Sequence, residues 1–226
     1  MNNKNNNNNN LIYLVIIILI VIIFYEFHKT QEKTRETFQI SEPCSDYLSD
    51  QEYLLHMIPH HQVAVDISLL HKKKSDWPEM QEVLRKLIYN QKYEIILMND
   101  ILPDLFTNIS ENESRLFKEN YIKSVGDFVD PNKLELTDVY CDPHFFDPEG
   151  HKKHLESMVL NDRTYIEHMI PHHQVAVDMS KKLLKHTKND FMINLAYRII
   201  RSQQAEVILL QDMLDSKFKN KSNLII

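Results

Sequence analysis

The chain has 226 residues, of which 2 are glycine, 12 are histidine, 9 are methionine and 2 are cysteine. Average glycine usage is about 7%, and glycine supplies the positive-φ positions of tight hairpins and phosphate loops, so this composition argues against a many-stranded β fold, a Rossmann unit or a P-loop. The net charge of −6 gives no support for nucleic-acid binding, and two cysteines are too few for a disulfide framework or a four-cysteine zinc site. The remaining fold class is one of helices joined by polar loops.

The N-terminal part of the sequence predicts a membrane anchor. Residues 1–10 are almost all asparagine and predict a disordered tail. An unbroken apolar run of 15 residues, 11–25, follows, and its length falls between a signal-peptide core and a full span of about 20 residues. Phe27 extends the predicted segment to 11–27. Because the run lacks a small-residue cleavage site after it, we expect an uncleaved single-pass signal anchor, with a cleaved signal peptide as the next choice. A linker, 28–47, follows, and the folded domain is expected on the extracytoplasmic or lumenal side.

An internal repeat organises the rest of the sequence. Residues 48–102 align with 160–214 at a constant offset of 112 without a gap, and 24 of 55 positions are identical. In the densest block, Tyr53-Leu-Leu-His-Met-Ile-Pro-His-His-Gln-Val-Ala-Val-Asp66 matches Tyr165-Ile-Glu-His-Met-Ile-Pro-His-His-Gln-Val-Ala-Val-Asp178. The repeat therefore predicts two copies of one structural unit.

Each copy is predicted to contain two helices. Ser49 and Glu52 have the spacing of a capping box, and Asn161 takes the place of Ser49 in the second copy. The partner helix of the first copy is expected to begin near Pro78, because proline is favoured in a first helical turn. The partner helix of the second copy is expected to begin near Asn189.

Two such hairpins predict an all-α, ferritin-like four-helix bundle, because one hairpin cannot cover its own apolar stripes. The hairpin repeats are assigned to 48–103 and 148–216, and a C-terminal tail to 217–226. The connection, 104–147, is expected to hold a short helix over 110–123. Its length is typical of the crossover in ferritin-like bundles.

The core-facing stripes of the four predicted helices carry polar and thioether side chains. These candidate ligands are Met57, His60, His61, Gln91, Glu94 and Met98 in the first repeat, and Met169, His172, His173, Met179, Gln203 and Glu206 in the second. Burying histidine, glutamine and glutamate is costly unless each is paired or bound. Thioethers select Cu(I), and imidazole suits copper, zinc or iron. The stripes therefore predict a metal site, with copper first and another transition metal second.

The two motifs resemble a known family. The pattern Met-Ile-Pro-His-His-Gln-x-Ala-x-Asp-Met, followed on the next helix by Gln-x-x-Glu-Ile-x-x-Met, is similar to domain-of-unknown-function family 305. The resemblance implies a ferritin-like, secreted, periplasmic or membrane-anchored four-helix protein, related to the CopM-type copper-binding proteins, and it supports the same twelve ligands. Ile67 and Leu210 stand where the family has methionine, so each repeat lacks one thioether. The resemblance assigns no enzymatic activity.

Three functions follow from these observations. The first is a membrane-anchored copper-binding protein in metal storage, sequestration or tolerance, with a binding role favoured over an enzymatic one. The second is a ferritin-like redox enzyme with a dinuclear metal site, and the third is a metal-free, membrane-tethered interaction module whose histidines pair with glutamates across helices. Cys44 and Cys141 precede the two repeats; they could form a disulfide in an oxidising compartment or remain free thiols in a reducing one.

Overall fold

The computed structural model describes residues 40–106, 134–157 and 159–219. The predicted tail and membrane anchor (1–27) and the predicted short helix (110–123) lie outside these residues. Within them, no helix combines the length and the apolar character needed to cross a membrane. The same residues are helical without any strand, so the all-α prediction is confirmed.

Five α-helices make up the described part of the chain. They are α1 (Asp50–Lys72), α2 (Pro78–Phe106), α3 (Pro148–Ser157), α4 (Asp162–Leu184) and α5 (Asp190–Leu214). A 3-10 turn, Pro143–Phe146, precedes α3, and a π turn, Asp215–Lys219, follows α5. Helix α3 was not predicted from the sequence, because its polar sequence carries no apolar stripe.

The helix starts follow the sequence signals. At α1, Ser49 Oγ accepts a hydrogen bond from Glu52 N (3.2 Å) and Glu52 Oε2 accepts one from Ser49 N (2.9 Å). At α4, Asn161 Oδ1 accepts from Thr164 N (3.1 Å) and Thr164 Oγ1 accepts from Asn161 N (3.0 Å). Helix α2 begins at Pro78, as predicted. These bonds satisfy amide groups that a helix end leaves without a partner in the helix.

The helices pack as two hairpins, α1 on α2 and α4 on α5, with α1 also contacting α4 and α3. Two buried hydrogen bonds cross between α1 and α4. Tyr53 Oη lies 2.7 Å from Ser180 Oγ, and Tyr165 Oη lies 2.8 Å from Ser68 Oγ. The 112-residue offset that relates Tyr53 to Tyr165 also relates Ser68 to Ser180. The α1–α4 contact is therefore made by equivalent residues in both directions.

A disulfide ties the segment before α3 to the chain that enters α1. Cys44 and Cys141 are bonded, with their Cα atoms 6.2 Å apart. On α4, Lys182 Nζ donates to the Cys44 carbonyl (2.8 Å), and Asp178 Oδ2 accepts from Thr137 N (2.9 Å) and Thr137 Oγ1 (2.7 Å). These contacts fix residues 134–142 against α4. They also place the 3-10 turn, which follows directly, over the bundle.

Candidate metal centre

A pair of stacked histidines lies at the contact between α1 and α4. The ring centroids of His60 and His172 are 3.8 Å apart, with 35° between the ring planes. Both side chains have no exposed surface. None of their four ring nitrogens has a hydrogen-bond partner. A buried polar group left unpaired costs about 1–3 kcal/mol, so the fold retains this pair at the expense of stability.

Both imidazoles of this pair are neutral near pH 7. Burial lowers the pKa of His60 and of His172 well below the ordinary value of 6.5, and the charges of neighbouring histidines act in the same direction. A neutral imidazole offers a lone pair, which is the form that binds a metal ion. The pair therefore needs no deprotonation before binding.

The next histidine of each motif is paired with a glutamate on the partner helix. His61 Nε2 lies 2.9 Å from Glu94 Oε2, between α1 and α2. His173 Nε2 lies 2.8 Å from Glu206 Oε2, between α4 and α5. Arg198 Nε donates to the other oxygen of Glu94 at 3.2 Å. His61 thus has the His–Glu hydrogen bond that the metal-free alternative predicts, and only its Nδ1 is left to serve as a ligand. His173 Nε2 is at ion-pair distance from Glu206 but makes no hydrogen bond with it.

Two predicted glutamines are buried without partners. Gln91 on α2 and Gln203 on α5 are each 1% exposed, and neither the amide nitrogen nor the carbonyl oxygen of either side chain makes a hydrogen bond. Buried side-chain polar atoms are hydrogen-bonded in most proteins. The unsatisfied atoms of the described residues thus concentrate on the predicted site residues, on the glutamines as well as the histidines.

The predicted methionine ligands all lie in apolar cores. Met57, Met98 and Met179 belong to one buried cluster with Tyr53, and Met169 belongs to a second. The structure therefore brings three of the four thioethers into one cluster and separates the fourth. Helical spacing had placed Met57 and Met169 on equivalent stripes, but it cannot distinguish a core thioether from a ligand.

Phenylalanines from the 3-10 turn cover the stacked pair. The Phe145 ring is 4.9 Å from His172 and 6.2 Å from His60, and the Phe146 ring is 5.0 Å from His60 (centroid to centroid). The sequence prediction missed both residues, because it treated 104–147 only as a connection. The adjacent aromatic residues after Pro143 were the available signal.

Two further histidines extend the stack beyond His172. His168 on α4 lies 6.1 Å from His172, and His151 on α3 lies 5.0 Å from His168, between ring centroids. His168 belongs to the repeated motif, whereas His151 was missed because no repeat marks it. The four rings follow one another in the order His151, His168, His172, His60.

The candidate metal donors are arranged in pairs. Among the described residues, no three histidine, cysteine, aspartate or glutamate side chains form a group that could hold a metal ion. With metal–nitrogen bonds of about 2.0–2.1 Å, and about 1.1 Å from nitrogen to ring centroid, two imidazoles on one tetrahedral ion have centroids about 5.2 Å apart. At 3.8 Å, His60 and His172 are closer than that. Sharing an ion thus requires the two rings to separate.

Comparisons with known proteins agree with the motif. The family model "Domain of unknown function (DUF305)" matches residues 50–214. The solved structure "CopM in the Cu(I)-bound form" is 27% identical with a TM-score of 0.51, covering 76% of this chain and 99% of that chain. "CopM in the apo form" is 27% identical with a TM-score of 0.50, covering 75% and 98%.

A viral protein matches a shorter stretch. "Uncharacterized protein L153" of Acanthamoeba polyphaga mimivirus is 41% identical over 63 residues, which are 27% of this chain and 41% of that relative. The matched stretch thus spans less than half of the viral protein. The family match, by contrast, runs through α1 to α5 as one stretch, so the tandem-repeat arrangement stays a prediction from the sequence. With residues 50–214 of 226 matched, the chain belongs to the DUF305 family.

Proposed function

We propose that this protein is a membrane-anchored copper-binding protein that holds copper at the His60–His172 pair for storage, sequestration or tolerance. The observation that carries the proposal is the burial of four unpaired ring nitrogens on two neutral imidazoles. Similarity to CopM, a protein solved with Cu(I) bound, supports copper as the ion.

The donor types in the repeated motifs suit a soft ion. His60 and His172 would supply imidazole nitrogen, and the candidate thioethers are Met57 and Met169, one helical turn earlier on α1 and α4, although they pack in two different apolar clusters. Thioether and imidazole donors together favour Cu(I) over hard cations. Within this proposal, Glu94 and Glu206 hold His61 and His173 in place. Gln91 and Gln203 are buried polar groups on the facing helices and are not assigned as ligands.

The anchor and the compartment are also part of the proposal. The unbroken apolar run of 11–25 supports a membrane segment. The Cys44–Cys141 disulfide supports an oxidising location for the folded domain, since disulfides persist outside the reducing cytosol. An extracytoplasmic or lumenal domain with copper bound would then intercept the ion before it reaches the cytosol.

Copper uptake by the full chain in detergent tests the proposal. We expect the wild-type chain to take Cu(I) from a chromophoric Cu(I) chelator. The H60A/H172A variant should bind at least tenfold more weakly, because replacing supporting groups alone costs about 10–100-fold in metal affinity. The matched control is H186A, which removes a histidine that is bonded to the Leu48 carbonyl (2.7 Å). Equal affinity of H60A/H172A and wild type would reject the proposal.

The metal-free interaction module is a second candidate, because His61 and His173 have the glutamate partners that it predicts. It differs from the first in its response to metals. A ligand that binds only the native state raises the unfolding temperature. An unfolding temperature that does not change with Cu(I), Zn(II) or Fe(II) would favour the module.

The geometry gives less support to the dinuclear redox enzyme. Such sites use carboxylates that bridge two ions. One oxygen of Glu94 is hydrogen-bonded to His61, and the other to Arg198. Both oxygens of Glu94 are thus already bonded to protein side chains.

A further inference from the structure

Helix α3 buries the side chain of His151 beside two exposed lysines. His151 is 1% exposed, whereas Lys152 and Lys153 beside it are exposed. The helix start fixes this orientation, since Asp147 accepts hydrogen bonds from Gly150 N (3.0 Å, at Oδ1) and from His151 N (2.8 Å, at the carbonyl). A side chain at Gly150 would collide with the Asp147 carboxylate. The position of His151 is thus set by the first turn of α3.

The buried imidazole of His151 lies against His168 of α4. Their centroids are 5.0 Å apart, with 32° between the ring planes. Phe145 packs edge-on against His168 at 5.3 Å and 87°. His168 is half-buried, so the pair stands between the solvent and the buried stack that begins at His172.

The distance between these two rings is the one expected for two imidazoles that share an ion. The 5.0 Å between centroids is close to the about 5.2 Å expected for two imidazoles on one tetrahedral ion. The 3.8 Å between the centroids of His60 and His172 is shorter than this expected distance. The comparison distinguishes the two pairs: sharing an ion requires the inner rings to separate, whereas the centroid distance of the outer rings already matches that of a shared ion.

We propose that His151 and His168 form a second metal-binding pair that takes a divalent, imidazole-seeking cation such as Cu(II) or Zn(II). The imidazoles are borderline donors that suit both ions. Because His168 is only half-buried, the site would lie near the surface, where waters would complete the coordination of the ion. This pair shares no ligand with His60–His172, so it goes beyond the function proposed above and can exist without it.

Cu(II) titration of the full-length, disulfide-bonded chain in detergent tests the outer pair, with equilibrium dialysis for affinity and electron paramagnetic resonance for the nitrogen ligands. We expect one ion per chain with two histidine nitrogens. In H151A/H168A the affinity should fall at least tenfold and the two-nitrogen signal should disappear, because both ligands are gone. H60A/H172A and H186A should keep the signal.

Two results would overturn the proposal: a wild-type chain that holds no Cu(II) with two histidine nitrogens, or an H151A/H168A variant whose affinity and nitrogen count equal those of wild type. If the alanine variant does not fold, H151Q/H168Q replaces it, because glutamine keeps much of the side-chain volume without an imidazole. The Cu(I) assay of H60A/H172A reports separately on the inner pair, so failure of one proposal can be told from failure of the other.

Discussion

Tyr53 on α1 and Ser180 on α4 share a buried hydrogen bond of 2.7 Å between their hydroxyl oxygens. Ser180 Oγ also donates to the Ala176 carbonyl at 2.7 Å, so the tyrosine hydroxyl is the donor to serine. Burial raises the pKa of Tyr53, and this keeps the phenol protonated for that role. The equivalent bond between Tyr165 and Ser68 makes the same contact in the other direction.

Removing either tyrosine hydroxyl should weaken the α1–α4 contact. We expect Y53F and Y165F each to lower the free energy of unfolding by about 1 kcal/mol, the net value of one hydrogen bond. The control is Y89F, because Tyr89 is 71% exposed and its hydroxyl faces solvent. Urea unfolding of the full chain measures all three variants. A Y53F chain as stable as Y89F would show that the buried bond contributes nothing.

Replacing the stacked histidines with leucine should stabilise the protein while removing its ligand. In H60L/H172L the four unpaired nitrogens are gone, and each unpaired buried group costs about 1–3 kcal/mol. We therefore expect a higher unfolding temperature without metal, and no increase when Cu(I) is added. Differential scanning calorimetry with and without Cu(I) checks both. A destabilised variant would mean that the histidines pack better than leucine and that they stabilise the fold rather than serve as ligands.

The two glutamates of the His–Glu pairs should differ in their importance. Glu94 is 1% exposed and contacts both His61 and Arg198, whereas the Glu206 side chain is 13% exposed and contacts His173. Breaking a buried pair costs about 3–5 kcal/mol, so E94A should approach that loss and E206A should fall below it. Denaturant unfolding of the two matched variants measures the difference. Equal losses would contradict the ranking by burial.

Glu52 should stabilise the start of α1 in a pH-dependent way. Hydrogen bonds from the backbone and side chains of Ser41 and Ser49 lower its pKa from 4.5 to about 2. Its contribution is therefore complete above pH 4.5 and is lost as the pH falls through about 2. E52Q should cost about 1 kcal/mol at pH 7, in the range of a lost cap. Unfolding from pH 7 down to 2 should show the two curves converging; a constant gap would contradict the assignment.

Loss of the disulfide should cost more than any single cap. The Cys44–Cys141 bond has a sequence separation of 97 residues, and removing a native disulfide typically costs about 2–5 kcal/mol. We expect C44S/C141S to be less stable than the wild-type chain without reductant. Adding a dithiol should lower the free energy of unfolding of the wild-type chain toward that of the variant and leave the variant unchanged. A wild-type free energy of unfolding that does not change with the dithiol would mean that the bond is absent or inaccessible.

The sequence predicted the local features of this fold well. Capping by Ser49 and Asn161 and the start of α2 at Pro78 depend on residues a few positions apart, and all three are present. The burial of polar motif residues also followed from helical periodicity, because Gln91 and Glu94 fall on the core-facing stripe and are each 1% exposed.

Contacts between distant segments were beyond that reasoning. His151, Phe145 and Phe146 lie outside the repeat, and no local pattern states where a connection folds back. The stacking of His60 on His172 likewise depends on how two hairpins meet, which periodicity within one helix cannot give. Cys44 and Cys141 illustrate the same limit, since their pairing could be raised from the sequence as a possibility and was decided by proximity.

The covalent bond between Cys44 and Cys141 turns the intervening chain into a ring that contains all of α1 and α2. A single peptide cleavage inside that ring leaves the molecule in one piece, because both new ends stay attached through sulfur. The first hairpin, with His60 and Glu94, would thus remain joined to α4 and α5 after such a cut. An oxidised chain can be nicked there and still keep its two halves together, whereas a reduced one relies on noncovalent contacts alone.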